Sequence, residues 1–206
     1  MPTATYFNLD PEKQRRIFAA AVEEFSTRRF SEASINQIVK NAGIPRGSFY
    51  QYFENKEDLY LYMITEIGKE KMQRFEQARV FDTEADFFTI YMELYRIGLA
   101  WAKTKPEYNR IFLLMELDDS EFIAKLRKLS AEGFAIMKDL LERDKKRGLI
   151  RADVDTDLVI DILYDLMLQS FKRYYLRSSE KELLRRVQGI FQIIKEGIAV
   201  KREGEG

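Results

Sequence analysis

Residues 34–59, SINQIVKNAGIPRGSFYQYFENKEDL, decide the reading of this chain, because they hold three helix starts and two helix stops. Ser34 with Gln37 three residues later has the form of a capping box, in which hydroxyl and amide satisfy each other's orphan backbone N–H groups, so a helix is predicted from Ile35. Its apolar face is Ile35, Ile38, Val39 and Ala42, and Gly43 supplies the left-handed position that ends it. Pro45 fits a first helical turn, where its missing N–H costs nothing, and a second short helix is predicted over 45–52. Asn55 caps a third, with Glu57 and Asp58 set against the positive end of its dipole.

Two short helices joined by a tight glycine-containing turn are the sequence form of a helix-turn-helix, whose second helix is sized to enter a DNA major groove. The second helix here carries Arg46, Ser48, Tyr50 and Tyr52 beside Gly47, groups suited to phosphate oxygens and base edges. Phe49 and Phe53, four apart, are left to anchor it inward.

On these residues the chain resembles the TetR family of bacterial transcriptional repressors. The family pattern T-I-x-x-I-A-x-x-A-G-V-S-x-G-[ST]-[FL]-Y-x-Y-F-x-[NS]-K-E-x-L is met at almost every fixed position from Ser34 to Leu59. The departures include Ser34 where Thr is commoner, Val39 where Ala is commoner, and Pro45 where Ser usually caps the recognition helix. The resemblance implies DNA contacts from Ser34, Asn36, Pro45, Arg46, Gly47, Ser48, Tyr50, Tyr52 and Lys56. Among them Tyr50, Tyr52 and Lys56 match phosphate-contacting positions, while Arg46 is either a reader of a guanine edge or a phosphate anchor. It also implies a DNA-binding domain over 1–55, an effector-binding and dimerisation domain over 56–206, and about nine helices in all.

The remaining sequence agrees with an all-α chain. Four prolines and ten glycines among 206 residues, with runs of Leu, Ile, Glu, Lys and Arg, leave no strand candidate, and 46% hydrophobic content suffices for a substantial core. Asp10 and Pro11 open a helix with the stripe Ile17, Ala20, Ala21 and Phe25. From Lys56 a long helix runs to about Arg79, and breaks at 81–83, 104–106, 118–120, 148–156 and 178–179 partition the rest into five helices. Cysteine and histidine are absent, which excludes disulfides, thiolate and imidazole chemistry and ordinary zinc sites; no cofactor is expected. No apolar run reaches the length of a signal peptide core or a membrane span, so a cytoplasmic protein without membrane contact is expected. Net charge is zero, and residues 1–53 carry seven bases against five acids, a weak excess.

Large adaptable side chains mark the second half. Phe88, Tyr91, Tyr95, Trp101, Phe112, Met115, Phe134, Met137, Tyr164, Met167 and Phe171 are candidates to line a cavity for a small apolar or aromatic effector; the alternative is a solid helical core. The cavity reading leans on the family. Carboxylate groups such as Glu116, Asp118 and Asp119 read as helix-end capping, and no phosphate loop or nucleophile elbow is present, so no enzyme is expected. From Leu158 to Leu176 apolar residues fall on nearly every side, and the next helix carries Leu183, Val187, Ile190 and Ile194 with Gly189 and Gly197. Helices of this kind need partners on several faces. A homodimer through Leu166, Tyr174, Leu183, Val187, Ile190 and Ile194 is expected, presenting two recognition helices to a palindromic operator. The reading is a dimeric, effector-released DNA-binding repressor; a helical adaptor or an enzyme without sequence-specific DNA binding are the alternatives.

Overall fold

A computed structural model describes residues 1–81, 83–130, 135–177 and 179–200, with side chains for all of these except 129–130 and 175–177. Eleven helices account for the described secondary structure: α1 (Ala4–Phe7), α2 (Pro11–Thr27), α3 (Ile35–Ala42), α4 (Arg46–Tyr52), α5 (Lys56–Gln77), α6 (Phe87–Thr104), α7 (Pro106–Glu116), α8 (Glu121–Ser130), α9 (Ala135–Lys146), α10 (Thr156–Arg177) and α11 (Glu180–Ile198). The all-α expectation holds. Two helices exceed the expected nine: α1 was not foreseen, and the span 121–147 is described as α8 and α9.

Local chemistry explains the boundaries. Asp10 accepts the Glu12 N–H at 2.8 Å and Pro11 occupies the first turn, so α2 starts where the sequence predicts. Gly43 ends α3 at φ 64°, the left-handed region that a glycine enters without a Cβ penalty. Asn55 accepts the Asp58 N–H at 2.9 Å to open α5. The capping box expected at Ser34 does not form. Its backbone N–H donates instead to the buried Glu24 carboxylate at 2.8 Å, and the Gln37 amide donates to Asn41 at 2.7 Å. A carboxylate from the preceding helix has taken the donor that Gln37 was expected to satisfy.

The chain packs as two compact units, which differ from a division at residue 55. Residues 1–78 with 97–128 form unit 1, and residues 79–96 with 129–206 form unit 2, so α6 contributes to both. Unit 1 has one continuous core in which Ile17, Phe25, Ile38, Phe49, Phe53, Leu59, Tyr60 and Met63 are nearly or wholly excluded from water. Each such side chain contributes roughly 1.5–3 kcal/mol of burial. Tyr6 of α1 belongs to that core at 0% exposure. So do Trp101 and Met115, with Phe112 packed against them, whereas all three were expected to line an effector cavity. Trp101 donates its indole N–H to Glu70 at 3.0 Å and lies 5.6 Å from the Tyr108 ring. Their separation from Phe88 and Tyr91 follows from α6 being shared, a division that helical periodicity cannot reveal.

In unit 2, Phe87, Phe88, Leu141, Leu163, Met167, Leu183, Val187 and Phe191 are buried. Asp144, 1% exposed, accepts the first N–H of α6, that of Phe87, at 2.6 Å, and ion-pairs with Arg143 and Arg147. That arrangement satisfies an orphan donor at the helix N-terminus and the buried charge together.

Candidate nucleic-acid interface

Helix α4 is held from behind and open in front. Phe49 and Phe53 are fully buried with centroids 5.6 Å apart, so the roll of the helix is fixed by two aromatic anchors one turn apart. Pro45, Arg46, Gly47, Tyr50 and Gln51 are exposed, and Ser48 is half-buried with its N–H on the Pro45 carbonyl at 3.0 Å. Pro45 lies just outside the helix at φ −61° and ψ 143°, so α4 starts one residue later than expected. A Cβ at Gly47 would meet nothing within 4 Å. A glycine inside a helix costs about 1 kcal/mol relative to alanine, and no neighbour in the protein requires it there. The Tyr50 ring is 49% exposed and edge-on to Phe49 at 5.2 Å, which gives it a defined direction.

Helix α3 adds exposed Asn36, Gln37, Lys40 and Asn41, with Ser34 half-buried at its start. Gln37, Asn41 and Glu23 are joined by hydrogen bonds of 2.7 and 3.0 Å, which orient the two amides. Gln37, Lys40, Asn41 and Gln51 were not among the DNA contacts expected from the sequence. The usable signal was their position opposite Ile38, Val39 and Ala42 on α3, and opposite Phe49 and Phe53 on α4.

Two expected contact residues have partners within the protein. Tyr52 is 4% exposed, packed behind α4 with its ring 6.3 Å from Tyr6 and the Lys13 ammonium 5.4 Å from its centroid. The motif's two tyrosines are two residues apart, about 200° around a helix, so one faces out and the other must face in. Lys56 is half-buried. Its ammonium donates to the Ala33 carbonyl at 2.9 Å and the Ser31 carbonyl at 3.4 Å, and lies 4.7 Å over the Phe30 ring. It clips the connector between α2 and α3. Burial lowers its pKa, an effect partly offset by the charges of Asp118 and Glu24.

The same connector is held by a second ion. Asp118, between α7 and α8, is 0% exposed and accepts the Ser31 N–H at 2.8 Å, the Ser31 hydroxyl at 2.9 Å and the Ser120 N–H at 2.9 Å. Burial alone would raise its pKa, but the hydrogen bonds from Ser120 and Ser31 outweigh that and hold it down to about 2.

The remaining candidates lie in unit 2. Phe88 and Tyr91 meet Phe191 at 6.0 and 5.0 Å, and burial pushes the Tyr91 and Tyr95 phenols up to about 12. Met167 is buried, Met137 and Phe171 are half-buried, and Tyr164 is 37% exposed, which takes it out of the unit's interior. Phe134 lies outside the described residues. Of the expected dimer residues, Leu183 and Val187 are 2% and 0% exposed within their own protomer, so a second copy cannot reach them. Leu166, Tyr174, Ile190 and Ile194 are half-buried. The outward side of α11 is centred on Ile193, 72% exposed, which the sequence reading passed over. Leu166, Glu182, Arg185, Arg186, Gly189, Ile190, Ile193 and Ile194 line a groove of about 610 Å³ there.

Comparison with known proteins places these features. Residues 17–63 match the model of the bacterial regulatory proteins of the tetR family. The chain is 24% identical to the HTH-type transcriptional regulator YdgC of Bacillus subtilis, over 76% of this chain and 77% of that protein. A crystal structure of a TetR family transcriptional regulator from Chloroflexus aurantiacus aligns with a TM-score of 0.68 at 28% identity, covering 98% of this chain and all of the other. FadR from Bacillus subtilis, crystallised in complex with stearoyl-CoA, aligns with a TM-score of 0.74 at 18% identity over 89% of this chain and 98% of its own. By the match over α2 to α5 and the likeness along its whole length, the chain carries the helix-turn-helix of the tetR family of regulatory proteins.

Proposed function

We propose that the protein is a transcriptional repressor that binds a palindromic operator as a homodimer and leaves it when a small apolar or aromatic effector binds. One observation carries the reading: α4 exposes Arg46, Gly47 and Tyr50 while Phe49 and Phe53 hold its back in the core. A short polar helix so anchored, with an unexplained open glycine, suits close approach by a duplex. Arg46 is the base reader in this reading, its planar guanidinium bonding two acceptors of a guanine. Asn36, Pro45, Ser48 and Tyr50 serve backbone contacts, and Ser34 sits at the start of the first helix of the motif. Because it acts on the chromosome, we assign it to the cytoplasm.

The test begins with selection of a bound duplex from a random-sequence library. Arg46→Ala is then expected to cost about 1–3 kcal/mol on that duplex and to relax preference at one base pair in each half-site. Equal weakening on every sequence would make Arg46 a phosphate anchor. Recovery of no preferred duplex by the wild type would favour a helical adaptor.

Dimerisation through the outward sides of α10 and α11 is supported by exposed Leu158, Ile162 and Ile193, and by two helical glycines, Gly189 and Gly197, around which a Cβ would meet nothing in the protomer. The effector is assigned to unit 2, among Phe88, Tyr91, Tyr95, Met137 and Met167. A hundredfold loss of operator affinity requires the effector to favour the released conformation by about 2.7 kcal/mol. A compound found by screening for operator release is expected to lose its effect on Tyr91→Ala, with operator binding in its absence unchanged. Retained release by Tyr91→Ala, measured by fluorescence anisotropy, would move the effector elsewhere.

A further inference from the structure

We propose that α1 sets the position of the recognition helix α4, with Thr3 as the positioning residue; this rests on the DNA-binding reading above. Helix α4 has only seven residues, too few to be stable alone, and its last carbonyls have no partner within the helix. Two of them are met by one residue. The Thr3 N–H donates to the Tyr52 carbonyl at 2.9 Å, and the Thr3 hydroxyl donates to the Gln51 carbonyl at 2.6 Å. Donors at the negative end of a helix dipole are favourably placed.

Behind α4, the fully buried Tyr6 ring lies 5.0 Å from Phe53 and 6.3 Å from Tyr52. Its hydroxyl reaches that of Tyr62 on α5 at 3.4 Å. Thr3 therefore fixes the C-terminal end of α4 along its axis, and Tyr6 fixes its distance from α5. Tyr6, fully buried, takes no part in the exposed side that carries Arg46, Gly47 and Tyr50. The family match begins at residue 17, so it assigns nothing to α1.

A base contact tolerates displacements of only about 0.5 Å, whereas phosphate attraction is long-ranged and forgiving. Loosening α4 should therefore weaken the cognate duplex and spare non-specific binding. Thr3 has φ −73°, a value that proline adopts without strain, so Thr3→Pro removes both donors and keeps the backbone path. Thr3→Ser keeps both donors and serves as the conservative control.

The experiment uses the full chain and a duplex recovered from a random-sequence library, with an unrelated duplex of equal length beside it. Thr3→Pro is expected to bind the recovered duplex about five- to tenfold more weakly, with affinity for the unrelated duplex within twofold of wild type and Thr3→Ser restoring both. Equal loss on both duplexes, or unchanged binding to the recovered duplex, overturns the positioning role. If Thr3→Pro fails to melt cooperatively, Thr3→Val, which removes only the hydroxyl donor, is read by the same ratio: a selective loss supports the role and an unchanged ratio overturns it. Failure of the wild type to recover any preferred duplex overturns the DNA-binding reading itself, before a variant is compared.

Discussion

Ile193→Lys is expected to convert the proposed dimer to monomers at micromolar concentration and to lower operator affinity by more than a hundredfold. Ile193 is 72% exposed within the protomer, so the substitution should change protomer stability by less than about 0.5 kcal/mol. In a two-fold interface the same position enters twice, and each copy would bring an ammonium into a groove already lined by Arg185 and Arg186, with Glu182 as its carboxylate. An inadequately paired buried charge costs several kcal/mol, roughly 3–5 per ion. A monomer engages one half-site and loses the second recognition helix, which accounts for the fall in affinity. Sedimentation velocity across a concentration series, paired with operator titration, checks the outcome. A variant that remains dimeric at wild-type concentrations would move the interface away from α11.

Asp118→Ala is expected to destabilise the protein by about 3 kcal/mol. Three donors converge on this carboxylate, two from Ser31 and one from Ser120, and hydrogen bonds to a charged group contribute about 1.5–3 kcal/mol each before relaxation. Alanine leaves them without this acceptor. The pH dependence carries a defined sign. The folded-state pKa, about 2, lies below the ordinary 3.8, so the carboxylate's contribution is fully present above about pH 4. It fades as pH falls toward 2, when the folded state must also take up the proton. Urea titrations of wild type and variant at pH 7 and near pH 3 measure this: the gap should be largest at pH 7 and narrower at pH 3. A difference below 1 kcal/mol at pH 7 would show that water satisfies the connector equally well. Because Ser31 leads into α3, operator binding is expected to weaken in the variant at temperatures where it remains folded.

The sequence by itself determined the helices of the DNA-binding motif and most of their ends. Asp10, Gly43 and Asn55 act through bonds and dihedrals within a few residues, and those interactions are readable wherever the residues stand. Phe49 and Phe53 were legible as anchors because a spacing of four puts them on one side of a helix. What only the tertiary structure decided was set by neighbours distant in the chain. Ser34 has Glu24 as its partner rather than Gln37, Lys56 spends its ammonium on the Ser31 and Ala33 carbonyls, and Thr3 finishes a helix nearly fifty residues away. The apolar stripe of α11 shows the limit most clearly. Periodicity places Leu183, Val187, Ile190 and Ile194 along one broad face, but a face names no partner. The protomer's own core takes Leu183 and Val187 and leaves Ile193 outside, because burial depends on which helices arrive, and local spacing carries no record of them.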